Sequence, residues 1–290
     1  MQTTLFSRQG GVASVAALRR QGITEGQIRW ALHQGQVASI RGGWLKTADA
    51  DPAIVAAVAA GGRLGCISAA ARHGLWVPDH EELHVSLPTH AGRHSSANVV
   101  PHWAGARWRD HSSPVERLDD VLRQAAGCLP LEDLICILDS ALQRKRVTLQ
   151  RLHNLLSHLP DHADIAELLD GRSESGYETL CRLRFARLGV AISVQPELPS
   201  IGRVDLMLGE RLIIEADGWE WHNGPDAFLV DRSRDLAANR QGYLPLRLAP
   251  HHIEREWPWV ELVVRSIIER GDHRWSPQHA RQRRNHGFGG

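Results

Sequence analysis

The first 50 residues alternate short apolar runs with glycines. The segment SVAALRRQG has apolar residues at helical spacing and stops at Gly22. In ITEGQIRWALHQG, Thr24 is followed three residues later by Gln27, a capping-box pattern that predicts the start of a second helix. Two short extended runs flank a Gly-Gly pair in QVASIRGGWLKT, which predicts a β-hairpin.

Helix, tight turn, helix and hairpin is the order of elements in a winged helix-turn-helix domain, here residues 1–50. We expect the apolar residues Ile28, Ala31 and Leu32 to share one face of the second helix. Other side chains of this helix and of the hairpin are candidates for contact with bases and phosphates of DNA: Thr24, Gln27, Arg29, His33, Arg41 and Lys46. The same elements also fit a unit used for protein contacts or for packing, and spacing alone does not separate the two.

Residues 51–165 predict a mixed α+β middle domain. Helical patterns occupy DPAIVAAVAAGG, CISAAARHGLW, VERLDDVLRQAAGCL and LEDLICILDSALQRKRVT. ELHVSLP and NVVPHW are typical of short strands. The histidines of this region show no fixed ligand spacing, so we expect surface or capping roles rather than metal binding: His73, His84, His90, His94, His102 and His111.

Residues 173–270 predict a separate α/β module with a mixed sheet. Its order is one helix (SGYETLCRLRFARLG), three strands (AISVQPEL, RVDLML, RLIIEAD), a helix closed by Gly242, a strand (YLPLRL) and one final helix. The preceding DHADIAELLDGRSES is interpreted as a polar joint. Residues 271–290 form a basic tail that we expect to be disordered.

Three carboxylates of this module are predicted to meet. Asp205 lies in one predicted strand, and Glu215 and Asp217 lie at the end of the next. Residues two apart on a strand share a face, and the short GER turn predicts a hairpin that brings Asp205 near Glu215. Clustered carboxylates repel one another unless a proton or a cation neutralises them. Mg²⁺ prefers such oxygen ligands, and a metal that holds phosphate and activates water can hydrolyse a phosphodiester.

Composition narrows the function classes. The 290-residue chain has 42% hydrophobic and 23% charged residues and a net charge of +1, so any nucleic-acid contact needs locally concentrated positive charge. We find no apolar run long enough for a membrane span and no secretory signal pattern, and the four cysteines show no CxxC pairing. A cytoplasmic protein with reduced, mostly buried thiols and no structural zinc is therefore expected. Lys145 is the last lysine, so chemistry in the second half must proceed without one.

The first two regions resemble the N-terminal part of the AbiEi antitoxin family of abortive-infection toxin–antitoxin systems. The resemblance is carried by residues 5–47, by ISAAARHGLWVP with ELHVSLP, and by SPVERLDDVLRQAAGCLPLEDLICILDSAL. It implies DNA binding, with a cognate toxin or another defence component as a further partner. It does not imply that this chain is itself an antitoxin.

Residues 173–253 resemble a domain related to the very short patch repair endonucleases, within the PD-(D/E)XK nuclease superfamily. The carrying motifs are SGYETL, GRVDLML, LIIEADGWEWH and DRSRDLAANRQGYLPLRL. The resemblance implies an Mg²⁺- or Mn²⁺-dependent endonuclease in which Glu178, Asp205 and Glu215 hold the metal. Asp217, Gly218 and His222 match the E-x-D-G-x-x-H pattern, with the histidine one position later than usual. Asp231 and the Arg234-Asp235 pair match the following helix.

The superfamily's usual lysine is absent, since Asp217 occupies its position. His222 is therefore the candidate general base, a role that suits an imidazole whose ordinary pKa is near 6.5. Packing beside Trp219 and Trp221 is the alternative for His222, and a salt bridge is the alternative to phosphate binding for Arg234. At the level of function, a DNA endonuclease competes with a non-catalytic DNA-binding regulator, for instance a homodimer, that keeps the nuclease fold. A nuclease acting on RNA is a third alternative.

Overall fold

The computed structural model describes residues 4–89, 98–104, 112–216, 225–279 and 281, with residues 225–231 described by their backbone alone. The architecture is mixed α/β, and the chain divides into two compact units. The first comprises Met1–Ile137 and Gln150–His162, and the second comprises Leu138–Leu149 and Ala163–Gly290. Within the described ranges, no helix combines the length and apolar character needed to cross a bilayer.

The first unit begins with both predicted helices and the predicted hairpin, together with a short first helix and a first strand that the sequence did not predict. These elements are α1 (Thr4–Arg8), β1 (Val12–Ser14), α2 (Val15–Arg20), α3 (Glu25–His33), β2 (Ala38–Ser39) and β3 (Trp44–Lys46). The strands form an antiparallel sheet in the order β1-β3-β2. A small core, in which Leu18, Ile28 and Leu45 are 0–3% exposed, packs the helices onto this sheet.

Helix α3 begins as predicted, and one residue of its apolar face is exposed. The Thr24 hydroxyl accepts a hydrogen bond from the Gln27 backbone N–H, and the Gln27 side chain accepts one from the Thr24 N–H, which confirms the capping box. Ile28 and Ala31 are buried, whereas Leu32 on the same side of the helix is 37% exposed. Residues three and four apart lie side by side on a helix, so Leu32 borders the buried stripe.

The remainder of the first unit contains helices around a second small sheet. Its elements continue with α4 (Pro52–Ala59), β4 (Arg63–Leu64), α5 (Cys66–Arg72), β5 (Leu83–Leu87), β6 (Val99–Trp103), α6 (Leu118–Ala126), α7 (Leu131–Gln143) and α8 (Leu149–Leu156). Strand β5 is central, antiparallel to β4 and parallel to β6, with Ser86 opposite His102. The predicted helices and both predicted strands of this region are present.

The second unit contains the mixed sheet that the sequence predicted. Its elements are α9 (His162–Leu168), α10 (Gly176–Ala186), β7 (Ile192–Val194), β8 (Glu197–Leu198), β9 (Gly202–Arg203), β10 (Leu206–Leu208), β11 (Leu212–Ala216), α11 (Pro225–Arg240), β12 (Leu244–Leu248), α12 (Pro250–Glu254) and α13 (Trp257–Glu269). The main sheet has the order β12-β11-β10-β7, parallel between β11 and β12 and antiparallel elsewhere. Strands β8 and β9 pair separately.

A buried carboxylate fixes helix α10 within this unit. Asp139 lies on the part of α7 that belongs to the second unit, which includes Leu138–Leu149. It is 1% exposed and accepts hydrogen bonds from the Thr179 hydroxyl at 3.0 Å and the Asp170 N–H at 2.7 Å. It also pairs with Arg182 at 2.9 Å. Three donors to one buried carboxylate attach α10 to Asp139, although burial still raises the pKa of Asp139 to about 6.

Several predicted boundaries were wrong. The run AISVQPEL is broken at Gln195, whose φ of +53° is outside the extended region, and RVDLML is broken before Leu206. The single helix predicted at the end of the module is two, because Pro258 lies in the first turn of α13 and cannot continue a preceding helix. The polar joint contains α9, which buries Ile165.

The first residues of the predicted disordered tail pack on the sheet, which corrects that prediction for this part. His273 is 4% exposed, and its carbonyl accepts the N–H groups of Glu210 and Arg211. Gly209, with a φ of +63°, makes the close approach feasible because a Cβ there would meet the His273 carbonyl oxygen at 2.6 Å. Trp275 packs edge-on against Tyr243. Residues 282–290 lie outside the described residues.

Candidate functional site

Glu215 is carried by the interior strand of the main sheet. Leu212, Ile213 and Ile214 are 0–1% exposed, and burial of such side chains contributes about 1.5–3 kcal/mol each. The strand is paired on both sides, with β10 and with β12. Glu215 follows directly and is itself buried. The apolar run therefore fixes a carboxylate that would otherwise remain in water.

Asp205 lies immediately before β10, beside Glu215. The antiparallel register pairs Leu206 with Ile214, so the next position along the hairpin sets Asp205 opposite Glu215. The Asp205 Oδ2 accepts the backbone N–H of Ala216 at 2.8 Å. The hairpin thus brings two acids, ten residues apart in the chain, to the same end of the sheet.

Glu178 reaches the same region from helix α10. Ser175 caps this helix, with its hydroxyl accepting the Glu178 N–H, and Glu178 is 4% exposed. Its carboxylate accepts the Glu174 N–H at 2.9 Å and the Gln195 side-chain amide at 2.7 Å. The same Gln195 nitrogen lies 3.4 Å from Asp205 Oδ1. Gln195 therefore connects Glu178 with Asp205, a role that the sequence analysis missed.

The three acids influence one another electrostatically. Burial raises the pKa of Glu178 to about 7, and the charge of Asp205 adds to that rise. Burial and Asp205 likewise raise the pKa of Glu215 to about 7, against the opposing charges of Arg234 and Arg247. At neutral pH, the positive charges of the protein therefore do not fully balance the negative charge of these carboxylates.

Two arginines border the acids. Arg234 of α11 pairs with Glu215 at 3.5 Å and donates to the carbonyls of Ile201 and Arg203. Arg247 of β12 is opposite Glu215 in register and makes a two-pronged pair with Asp235 at 3.0–3.1 Å. Arg234 thus makes the salt bridge that the sequence left open as its alternative role.

The remaining residues predicted for this site lie beyond what the structure describes. Asp217 and His222 fall outside the described residues, as do Gly218, Trp219 and Trp221. For Asp231, only the backbone within α11 is described. The predicted roles of Asp217 and His222 therefore stay predictions.

The side chains predicted to contact DNA are not equally available. Thr24 and Gln27 are exposed but occupied by the capping box, and Arg41 donates to the carbonyl of Ala59 at 3.1 Å. Arg29 and His33 are exposed on α3, and Lys46 is half-buried on β3. Trp30 on the same helix is 56% exposed, which the sequence analysis did not anticipate.

No family model matches this chain, and a search of curated proteins found no match. Function is therefore inferred from the geometry of the site and from the motifs quoted above.

A second cluster of titratable side chains lies in the first unit. The ligand atoms of Cys66, His84, His102 and Cys128 all lie within 4.8 Å of one another, a group that could hold a metal ion. This corrects the prediction that these histidines are scattered and that the cysteines offer no metal site. Sequence spacing gave no signal because the four residues belong to four different parts of the fold.

The carboxylates are less tightly gathered than this second cluster. Among the described residues, the Cys/His set is the group that converges closely enough for a metal, and Glu178, Asp205 and Glu215 do not form such a group. Each acid instead receives protein hydrogen bonds or an ion pair. Carboxylates held in this way fit weak binding of a hard cation that keeps most of its waters.

Proposed function

We propose that the second unit is a metal-dependent endonuclease domain that hydrolyses phosphodiester bonds in DNA. Helix α3 and the β2–β3 hairpin of the first unit would direct it to its substrate. The observation that carries this proposal is the placement of Asp205 and Glu215 at adjacent positions where strands β10 and β11 meet, with Glu178 linked to Asp205 through Gln195. A role in phage defence or DNA repair, with a toxin or defence component as partner, follows from resemblance alone.

The donor set fits Mg²⁺ or Mn²⁺. Asp205 and Glu215 offer the hard carboxylate oxygens that these ions prefer, and two such ligands suffice when waters and a substrate phosphate complete the shell. Glu178 would be a further ligand or would orient bound water. The raised pKa of Glu178 and Glu215 supports a cation here, because a divalent charge would favour their ionised forms. When bound, the ion supplies Lewis-acid stabilisation of phosphate charge.

The chain's own residues would perform the remaining steps. His222 would take a proton from the attacking water, replacing the lysine that this module lacks. Arg234, held by two backbone carbonyls, has a guanidinium near Glu215 that would meet a phosphate oxygen once the acid is engaged elsewhere. Asp235 holds Arg247 beside the site.

The ion pair between Arg234 and Glu215 also favours a second, non-catalytic function. Arg234 already lies 3.5 Å from Glu215, and the acids do not converge as a metal group. A site neutralised by arginine instead of a cation would suit a non-catalytic DNA-binding regulator that keeps this fold for assembly or sensing. The missing lysine is consistent with that alternative.

A cleavage assay separates the two functions. Supercoiled, linear and mismatched DNA, and a matched RNA, are incubated with the full chain and Mg²⁺ or Mn²⁺. We expect cleavage of DNA that is lost in Glu215→Gln and Asp205→Asn, both of which keep side-chain size. Glu269→Gln, which neutralises an exposed acid of the same unit, is the matched control and should cut normally.

Three outcomes would contradict the proposal. Intact DNA under all conditions, together with specific retardation of DNA on a gel, would favour the regulator. Cleavage of RNA alone would assign the site to RNA. Cleavage that survives both neutral substitutions would place the activity elsewhere or in a contaminant.

A further inference from the structure

We propose that Cys66, His84, His102 and Cys128 bind one zinc ion in the first unit. The inference rests on the convergence of four ligand atoms within 4.8 Å, in a region separate from the carboxylates of the proposed nuclease site. It does not depend on the proposed nuclease activity.

The fold of the first unit brings these four residues together. His84 lies on β5 and His102 on β6, and the parallel register pairs Ser86 with His102. Since residues two apart on a strand share a face, both imidazoles project from the same side of the sheet. Cys66 is the first residue of α5, which follows β4 directly, and Cys128 lies just beyond the end of α6. Helices α5 and α6 are in contact, so two thiols and two imidazoles meet over one sheet face.

Two distances between ligand atoms of the cluster are close to the edges of a zinc tetrahedron. Zinc–nitrogen bonds of about 2.0–2.1 Å and zinc–sulfur bonds of about 2.3 Å place neighbouring ligand atoms about 3.3–3.8 Å apart at tetrahedral angles. His84 Nδ1 and His102 Nε2 are separated by 3.0 Å, and Cys128 Sγ lies 3.8 Å from His84 Nδ1. The centroids of the two rings lie 5.2 Å apart, with an interplanar angle of 24°.

The donor types favour zinc over other ions. Two thiolates and two imidazoles form a Cys₂His₂ set, which is typical of structural zinc and unsuited to Mg²⁺ or Ca²⁺.

Surrounding hydrogen bonds hold the backbone of this cluster. Gln124 of α6 accepts the Cys66 N–H at 2.8 Å through its side-chain oxygen and donates to the Ser86 hydroxyl at 3.0 Å. The Ser68 hydroxyl accepts the His84 N–H at 3.1 Å. Cys66 itself has a φ of +45°, a conformation that non-glycine residues rarely adopt and that occurs preferentially at functional sites.

Four protein ligands would leave no open coordination position, so the zinc would be structural rather than catalytic. It would connect β5 and β6 to the ends of α5 and α6, in a region where the sheet has only short strands. A cleft of about 640 Å³ reaches His84 and Cys128 and is also lined by Asp79, Glu82 and Asp133. This acidic lining provides a path by which a cation could enter.

The metal content of the purified full chain tests the proposal. The protein is expressed with zinc supplied, freed of loosely held ions by gel filtration, and measured by inductively coupled plasma mass spectrometry. We expect one zinc ion per chain in the wild type and loss of that ion in Cys128→Ala and His102→Gln. Cys136→Ala and His158→Gln are the matched controls, since they remove a buried thiol and an exposed imidazole of the same unit outside the cluster. Both should retain the zinc.

Cobalt substitution provides a readout that does not depend on stability. Co²⁺ in a tetrahedral thiolate site gives visible d–d bands and a sulfur-to-cobalt charge-transfer band, and we expect both in the wild type and in the two controls. Circular dichroism establishes that each variant is folded, and Cys128, the exposed cysteine, is the ligand whose removal disturbs the core least. A wild-type chain without zinc and without these bands would overturn the proposal. So would equal zinc content in all variants, iron in place of zinc, or a disulfide between Cys66 and Cys128 detected by mass spectrometry.

Discussion

Each of the two units contains a cluster of side chains that can bind a metal ion. The sequence predicted one of these clusters and not the other. Glu215 and Asp205 lie on consecutive strands of one hairpin, so a strand pattern and a short turn predicted their approach. Cys66, His84, His102 and Cys128 come from two strands and two helix ends, and no sequence spacing predicted their approach. Yet the unpredicted set converges more tightly.

The two clusters differ in the hydrogen-bond and ion-pair partners of their side chains. The carboxylates have protein donors: Gln195 for Glu178, the Ala216 N–H for Asp205 and Arg234 for Glu215. The thiols and imidazoles chiefly meet one another. Carboxylates that already accept protein hydrogen bonds gain less from a cation than thiolates and imidazoles that form a Cys₂His₂ set gain from zinc. We therefore expect an exchangeable hard cation in one unit and a permanent soft-ligand zinc site in the other.

Removing the two kinds of metal separately should have the largest effect. Dialysis against EDTA, followed by return to buffer without metal, should lower DNA cleavage at least about 100-fold, because the Lewis acid is lost. Adding Mg²⁺ or Mn²⁺ should restore it. The zinc content measured on the same sample should stay near one ion per chain after brief dialysis. Cleavage that survives in EDTA, or that returns only with zinc, would contradict the assignment of an exchangeable hard cation to one site and zinc to the other.

Stability of the cation-free protein should depend on pH through the buried glutamates. Glu178 and Glu215 have a pKa near 7 in the folded chain and an ordinary pKa of 4.5 when unfolded, so the folded state binds more protons between those values. The free energy of unfolding therefore falls as pH rises from about 4.5 through 7. For each group the fall is about 1.4 kcal/mol per pH unit between its unfolded and folded pKa. Glu215→Gln should have a higher Tm than the wild type at pH 8 and nearly the same Tm at pH 5.

The comparison with Glu215→Gln is needed because other groups titrate in this range. Asp139, with a pKa raised to about 6 by burial, acts in the same direction as the glutamates. This contribution cancels in the difference between variants. Thermal unfolding from pH 5 to 8 in EDTA gives that difference, with Glu269→Gln as the exposed control. Equal Tm values at both pH limits would mean that Glu215 is not held at a raised pKa.

Gln195 should position Glu178 for cation binding. Gln195→Ala removes the 2.7 Å hydrogen bond to Glu178 and should raise the Mg²⁺ concentration needed for half-maximal cleavage about tenfold. The maximal rate at saturating Mg²⁺ should change less. Gln241→Ala, which removes a buried glutamine side chain that donates to the Pro199 carbonyl at 3.0 Å, is the matched control. If both variants shift the Mg²⁺ requirement equally, Gln195 is merely structural.

The sequence predicted elements well where a local rule decides them. The capping box of Thr24 and Gln27, the hairpin around Gly42-Gly43 and the apolar strand before Glu215 each depend on a few neighbouring residues. The sequence did not predict features that depend on contacts between residues distant in the chain. The positive φ of Gln195 and the burial of His273 depend on residues far along the chain. The Cys/His cluster belongs to the same class, since β5 and β6 must pair before its ligands meet.

The smallest effect we predict concerns DNA contact by α3. Arg29 is exposed on this helix, so Arg29→Ala should weaken DNA binding severalfold and reduce the slope of log affinity against log salt by about 1. Thr24→Ala should leave that slope unchanged, because the Thr24 hydroxyl is occupied by the Gln27 N–H, and should instead lower the free energy of unfolding by about 1 kcal/mol. Fluorescence anisotropy across a salt series and urea unfolding measure the two effects.

The two variants also decide between the alternatives left open for the N-terminal helices. Trp30 and Leu32 are exposed apolar side chains on the same helix as Arg29, which is the composition of a protein-contact surface as much as of a DNA-contact surface. If Arg29→Ala changes neither affinity nor salt slope while Thr24→Ala destabilises as expected, α3 is intact but does not touch DNA. In that case the exposed Trp30 would mark a protein contact, and Trp30→Ala should weaken self-association or partner binding without changing the salt dependence of DNA binding.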